Sequence, residues 1–472
     1  MGRKRKKLPL IENLEIIDIG SEGKSVARKD DMVVFVTRVI PGDIVDVQVT
    51  RKRKNYLEGF PVKFHKYSDD RETPFCEHFG VCGGCKWQNL PYEKQLFYKQ
   101  KQVVDQLKRI GNLSGEELDS LNPILASPET THYRNKLEFT FSDNKWITKE
   151  ELDSGIEVTD RNGLGFHIPK MFDKILDISN CYLQPEPSNK IRAWFRKYTE
   201  EYKFPYFNLR NQVGLMRNLI VRTASTGEVM VIVAFYDDNK NLRENLLSAF
   251  QEEFPDLTSL YYVVNQKPND TILDQDLILF HGKEFITENM EGLDFKLGPK
   301  SFYQTNSHQA YNLYKVTREY ANLSGKEIVY DLYTGTGTIA NFVASKSLKV
   351  IGIEVVPEAI EDAVENSKRN NIKNATFVSG DIKDVFNQEF MQENGTPDVV
   401  IMDPPRAGLH KNVIDSLIAV QPDKIVYVSC NPATQARDIS LLKDLYLVKK
   451  IQPVDMFPNT HHVENVVLLE KK

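Results

Sequence analysis

The chain has 472 residues, 41% of them hydrophobic and 27% charged, with a formal net charge of −5. That length supports two to four domains with cores of their own, and no apolar run approaches the roughly 18 residues that a membrane-spanning helix needs. The opening MGRKRKKLPLIENLEIID lacks the uninterrupted apolar stretch of a signal peptide, so a cytoplasmic location without membrane contact is expected, where five cysteines serve as reduced ligands or nucleophiles rather than disulfides.

Positive charge is gathered at the front. Residues 1–66 hold fifteen Lys and Arg against nine Asp and Glu, concentrated in RKRKK (Arg3 to Lys7) and RKRK (Arg51 to Lys54). Either run alone reads equally as a solvated tail or loop. Between them MVVFVTRVI and DIVDVQVT form short strand-like segments around the turn signal Pro41-Gly42-Asp43, and closely spaced short strands predict a small barrel. Basic loops on such a barrel would track a nucleic-acid backbone, because each cation neutralises phosphate charge and releases counterions. In GSEGKSVAR, VIPGDIVDVQV and KNYLEG this region resembles a TRAM domain, an oligonucleotide-binding-type (OB-like) barrel of RNA-modifying enzymes.

Cys76, Cys82 and Cys85 follow as C-x5-C-x2-C, with Gly83-Gly84 leaving room for close backbone approach to a metal centre. Cys181, far downstream, can complete a four-thiolate site by folding back. A structural zinc site usually shows two C-x2-C knuckles and this stretch has one, so zinc and an iron–sulfur cluster both remain open on spacing; the alternative is a set of buried, unligated cysteines. Next, LPYEKQLFYKQKQVVDQLKRIG predicts a helix opening at Pro91, with Tyr92, Leu96, Val103, Leu107 and Ile110 as its apolar side. Residues 133–300 alternate strand-like runs with polar turns and predict a β-rich central domain.

The last third changes rhythm. EIVYDLYTGTGT, KVIGIEVV, ATFVSGD, PDVVIMDPPR, DKIVYVSCNP and NVVLLEK alternate with helical stretches, the pattern of a doubly wound α/β sheet whose ligands sit at the carboxyl ends of its strands. Asp331-Leu-Tyr-Thr-Gly335-Thr-Gly337-Thr338 is neither the G-x-G-x-x-G fingerprint nor a P-loop. It is similar to the first motif of class I S-adenosylmethionine methyltransferases, which implies Glu354 as the ribose ligand and Asp381 as an adenine contact; a helix cap is the alternative for Asp381. Asp403-Pro-Pro-Arg406 ends a strand where base-directed methyltransferases carry an acid, two prolines and an aromatic, and here the fourth residue is arginine.

Cys430, directly after the next strand in YVSCNP, would by itself read as a small buried apolar residue. Beside a methyl-donor site it becomes a candidate nucleophile. Carbon 5 of uracil is a poor nucleophile until a thiolate adds at carbon 6, and the adduct must then be undone by a base that removes the carbon 5 proton. In PNTHHVENVVLLE, Glu464 is the expected base, with His461 and His462 in structural or RNA-contacting roles.

These motifs together resemble the RNA uracil-5 methyltransferase family, in particular its iron–sulfur branch acting on large-subunit (23S) ribosomal RNA. The resemblance implies a TRAM barrel over 1–66, a central domain over 67–300 bearing the cluster, and a class I methyltransferase domain over 301–472. It implies a 4Fe-4S cluster on Cys76, Cys82, Cys85 and Cys181, and S-adenosyl-L-methionine contacts on Gln304, Tyr333, Thr338, Glu354, Asp381 and Asp403. Cys430 would be the nucleophile and Glu464 the base, in a monomer acting on ribosomal RNA or, alternatively, transfer RNA. Thr334 stands where many relatives have cysteine. A cytosine-5 RNA methyltransferase usually has cysteine beside the proline of the motif equivalent to Asp403–Arg406, and none is there. A non-catalytic RNA-binding or ribosome-assembly protein would need none of Cys430, Glu464 and Asp403.

Overall fold

Five strands, Leu10–Ile19, Ser25–Lys29, Met32–Val36, Ile44–Lys52 and Tyr56–Lys66, close into a barrel in which the third pairs with the fifth in parallel. The computed structural model describes residues 8–155 and 157–472, so the run Arg3–Lys7 lies outside the described residues. Strand alternation turns Val34, Val36, Val45, Val47 and Val49 inward, with Ile11, Leu14 and Ile16 from a first strand that the sequence pattern had not marked. The turn at Pro41–Asp43 forms as expected. Gly42 has a φ of +92°, and buried Asp43 accepts from the backbone N–H groups of Ile40 (2.8 Å) and Ser68 (2.9 Å).

The helix Tyr92–Arg109 begins after Pro91 as predicted, but its buried stripe is Gln95, Lys99, Val103 and Leu107, while Ile110 is 41% exposed. Val103 and Leu107 enter the core of the C-terminal sheet. Gln95 and Lys99 are buried because they meet polar groups of the 455–459 loop, a partner that apolar periodicity cannot reveal.

The central region is a seven-stranded sheet running, across its width, Ile278–Gly282, Ser259–Val264, Val229–Phe235, Met216–Thr223, Lys136–Ser142, Gly163–Ile168 and Met171–Asp177. One face packs on the helices Ser188–Glu201 and Lys240–Glu253 through Phe139, Phe195, Leu219 and Phe250. Ile220, Ile232 and Ala234, on the other, share a core with Tyr303 and Tyr314 of the C-terminal domain.

The C-terminal sheet has seven strands in the order Ala375–Ser379, Lys349–Glu354, Ile328–Leu332, Val399–Met402, Lys424–Ser429, Glu464–Lys471, Tyr446–Val454. The first five are parallel and the last two antiparallel. The order reverses between Ile328–Leu332 and Val399–Met402, which opens a crevice at their carboxyl ends. Among the described residues no helix is long and apolar enough to cross a membrane.

Candidate active site

The turn after Ile328–Leu332 is held from both sides. Asp331, 1% exposed, accepts from the Thr334 hydroxyl (2.5 Å) and the Ala340 amide (3.0 Å), and burial raises its carboxyl to about 7. Tyr333 takes a φ of +67°, while the Tyr333 and Thr334 amides donate to the Ile353 carbonyl at 3.0 and 3.1 Å. Gly335 and Gly337 have φ of +54° and +75°; a Cβ at Gly337 would meet that of Ala363 at 2.8 Å, whereas one at Gly335 would point into open space. The backbone therefore comes close to whatever lies over the strand end.

Glu354 ends the neighbouring strand and accepts from the amides of Gly335 (3.2 Å), Val355 (2.8 Å) and Val356 (3.1 Å). Asp381 caps the short helix Ile382–Val385 through the Lys383 amide and pairs with the Lys383 ammonium at 2.7 Å. The cap weighed as its alternative is thus present, and its charge still reaches the half-buried Tyr333 phenol. Thr338 opens the helix Thr338–Ala344 with its hydroxyl 3.3 Å from that of Thr336.

A second group lies deeper. Tyr314 is buried among Asp331, Asp403 and Glu464, and its phenol is bonded to the Gln304 side chain; burial and the three carboxylates hold it well above its ordinary value. The Gln304 carbonyl accepts from Asn135 at 2.9 Å. Asp403 and Glu464 are both raised by burial, and their mutual repulsion raises Glu464 further. The Cys430 thiol faces this pair. Burial pushes it up to about 11, the Glu464 and Asp403 charges add to the rise, and the Arg406 guanidinium, hydrogen-bonded to it, pulls the other way.

Cys430, Glu464, Asp403, Gln304 and the Asp331 turn are thus brought into one crevice, with Glu354, Tyr333 and Asp381 along its neighbouring edge. Sequence reasoning missed Tyr314 and Arg406. Arginine in place of an aromatic in DPPR was the only signal for either.

The 455–463 loop before Glu464 is clamped by the helix Tyr92–Arg109. Lys99 and Asp455 form an ion pair of 2.5 Å with both side chains fully buried, Lys99 also donates to the Phe457 carbonyl (3.0 Å), and Gln95 exchanges hydrogen bonds with Asn459. The His461 and His462 rings lie 4.0 Å apart and tilted by 39°, and burial lowers them to about 3 and about 4, so both rings are neutral. They line a groove of about 1000 Å³ that leads from the barrel (Arg28, Val33, Phe35) past Lys86, Lys101 and Arg109 to Arg406 and Cys430. The basic run Arg51–Lys54 is not part of its lining.

Cys76, Cys82, Cys85 and Cys181 converge from two loops. Cys85 lies within electrostatic reach of the other three, and burial raises it to about 12 and Cys181 to about 11. The Gly84 amide points at the Cys82 sulfur at 3.4 Å. Among the described residues no group of three or more His, Cys, Asp or Glu side chains is placed to hold a metal ion, so the expected cluster is not displayed as a ready coordination shell.

Comparison with known proteins adds three findings. Residues 272–472 match the family described as tRNA (Uracil-5-)-methyltransferase, and residues 11–62 match the TRAM domain. The chain is 57% identical over 455 residues to an uncharacterized RNA methyltransferase of Bacteroides thetaiotaomicron, covering 96% of this chain and 100% of that one. It is 56% identical to another from Porphyromonas gingivalis, covering 97% and 99%. It also resembles the structure of Pyrococcus abyssi tRNA (uracil-54, C5)-methyltransferase in complex with S-adenosyl-L-homocysteine, with a TM-score of 0.74, 30% identity, and coverage of 97% of this chain and 100% of that chain.

Proposed function

Because the chain belongs to the RNA uracil-5 methyltransferase family and carries its TRAM domain, we propose that it methylates carbon 5 of its target uridine through a covalent adduct between Cys430 and carbon 6. It is an S-adenosylmethionine-dependent RNA methyltransferase. The observation that carries the adduct reading is the juxtaposition of the Cys430 thiol with Arg406, Asp403 and Glu464 in a buried crevice. S-Adenosylmethionine supplies an electrophilic methyl group. The Gly335–Gly337 backbone and Gln304, Tyr333, Thr338, Glu354, Asp381 and Asp403 bind and orient it. Cys430, ionised with help from Arg406, bonds to carbon 6 and moves the ring's electron pair onto carbon 5 for methyl capture. Glu464 then takes the proton from carbon 5, and the carbon–sulfur bond breaks as the double bond re-forms.

Cys76, Cys82, Cys85 and Cys181 fit a 4Fe-4S cluster by donor chemistry, since four thiols within electrostatic reach of one another are the soft ligand set such clusters take, and binding would have to draw them into a coordination shell. The cluster would tie the 76–85 loop to the Cys181 segment, with no redox step in methyl transfer. The substrate we infer is 23S ribosomal RNA, with the enzyme acting as a monomer. The likeness to an enzyme acting on uracil-54 of tRNA favours transfer RNA as a second reading. Nucleoside mapping of both RNAs from cells with and without the gene decides. Loss of one 5-methyluridine from 23S RNA is expected, loss from transfer RNA selects the second reading, and no loss from either rejects both.

A further inference from the structure

Away from the crevice, the central sheet carries a pocket of about 340 Å³ that the mechanism does not use. Its lining combines Thr140, His167, Phe172, Arg217, Asn218 and Asp270. On the strand Lys136–Ser142, Thr140 pairs with Asn218 and with Gly165 of the adjoining strands. By strand alternation Lys136, Glu138 and Thr140 share the face that, through Ile220 and Ile232, packs on the C-terminal domain. The same strand follows directly on Asn135, which donates to the Gln304 carbonyl and the Ser307 hydroxyl. Thr140 in the pocket and Asn135 beside the Gln304 backbone are thus joined by one strand, roughly 17 Å apart at the usual rise per residue.

The pocket's wall is fixed by Arg217. Only 2% exposed, it donates to the carbonyls of Asn265, Lys267 and Asn269 and lies over the Phe207 ring at 4.7 Å. The pocket carries two acceptors. The Asn218 amide oxygen is buried in the lining without a partner, and the exposed Asp270 carboxylate lies within electrostatic reach of Glu138, His167 and Arg217. At the rim the Phe172 ring is 61% exposed with the Arg210 guanidinium 5.2 Å from its centroid. Because Arg210 is ion-paired with Asp173, what the rim offers is the exposed ring as a stacking surface for a flat base.

Resting on the reading above, we propose that this pocket receives a second, unpaired nucleobase of the substrate RNA, one carrying an exocyclic amino group, while the target uridine occupies the crevice. A ring that brings N–H donors satisfies the acceptors that the protein leaves open; uracil, with two carbonyls and one available N–H, satisfies them less well. The pocket would then select the RNA by a nucleotide other than the one methylated.

The test uses fluorescent oligoadenylate, oligocytidylate and oligouridylate of equal length, titrated into the full chain at one salt concentration, beside steady-state methylation of RNA from cells lacking the gene. Phe172→Ala removes an exposed ring, so folding is not at issue. It should weaken oligoadenylate binding about five-fold or more and raise KM for the RNA with kcat and donor affinity retained. Asp270→Asn should narrow the preference for oligoadenylate and oligocytidylate over oligouridylate. Unchanged affinities and preferences in both variants, or a fall in kcat at constant KM, would overturn the proposal. If the wild-type chain methylates no RNA while the oligonucleotide shifts appear as described, the functional reading fails and the pocket stands.

Discussion

Burial and two nearby carboxylates push the Cys430 thiol up to about 11, and the Arg406 guanidinium beside it works in the opposite direction. The sign for catalysis follows. The free enzyme holds Cys430 as a thiol at neutral pH, burial and Asp403 shift the Glu464 carboxyl upward, both active forms are gained by losing a proton, and kcat/KM should climb as pH rises. Arg406→Met removes the one neighbour that favours the thiolate. Its rise in kcat/KM should move to higher pH, with on the order of a ten-fold loss at neutral pH, the scale of one charge-assisted hydrogen bond. A profile superimposable on the wild type would deny Arg406 that role. Cys430 and Asp403 could be picked from the sequence because each follows the carboxyl end of a parallel strand, and Glu464 because it opens the antiparallel last strand at the same edge of the sheet. Arg406 and Tyr314 could not, since their value lies in which side chains they face across elements, and neither has a motif of its own.

Among the elements, the Gly-rich turn makes a discriminating pair of variants. Gly335 and Gly337 both take positive φ, so alanine at either costs roughly 1–2 kcal/mol of backbone strain. Only at Gly337 does the added methyl also strike Ala363 and the Phe377 ring. Gly337→Ala should therefore lower the thermal midpoint more than Gly335→Ala and weaken donor binding measured by calorimetry. Equal midpoints would mean that the packing of the turn against the helix Pro357–Arg369 is looser than described. The helix Tyr92–Arg109 shows where sequence reading stops. Its start and length were legible from Pro91 and the apolar spacing, but Lys99 meets Asp455 at a sequence separation of 356, and a buried lysine looks like surface until that partner is known. The cysteine loop makes its own claim. Anaerobically purified protein should be brown with iron near four per chain, and Cys181→Ser should bleach it while Cys430→Ser does not; colourless protein with one zinc would reject the cluster.

Across the described residues the groove joins barrel, linking helix and catalytic domain, and its cations come from separate segments rather than from the run Arg51–Lys54. Lys101 is engaged by Asp18 and Asp105, whereas Arg109 meets Asp105 only at 3.9 Å with its side chain largely exposed, which leaves Arg28 and Arg109 as better candidates for phosphate contact. Replacing either with Gln should lower the slope of log affinity against log salt by about 1, whereas Arg53→Gln and Lys54→Gln, outside the groove, should leave it unchanged; the reverse pattern would move the RNA path to the barrel's far end. In the turnover proposed above, Cys430 attacks first and Glu464 acts last. The most direct measurement is denaturing electrophoresis of enzyme incubated with RNA and methyl-labelled donor, comparing Glu464→Gln with Cys430→Ala. The account predicts a labelled covalent protein–RNA species that accumulates in Glu464→Gln, because methyl transfer is complete and release is blocked, and none in Cys430→Ala. Normal turnover in Glu464→Gln, or a labelled adduct in Cys430→Ala, would contradict it.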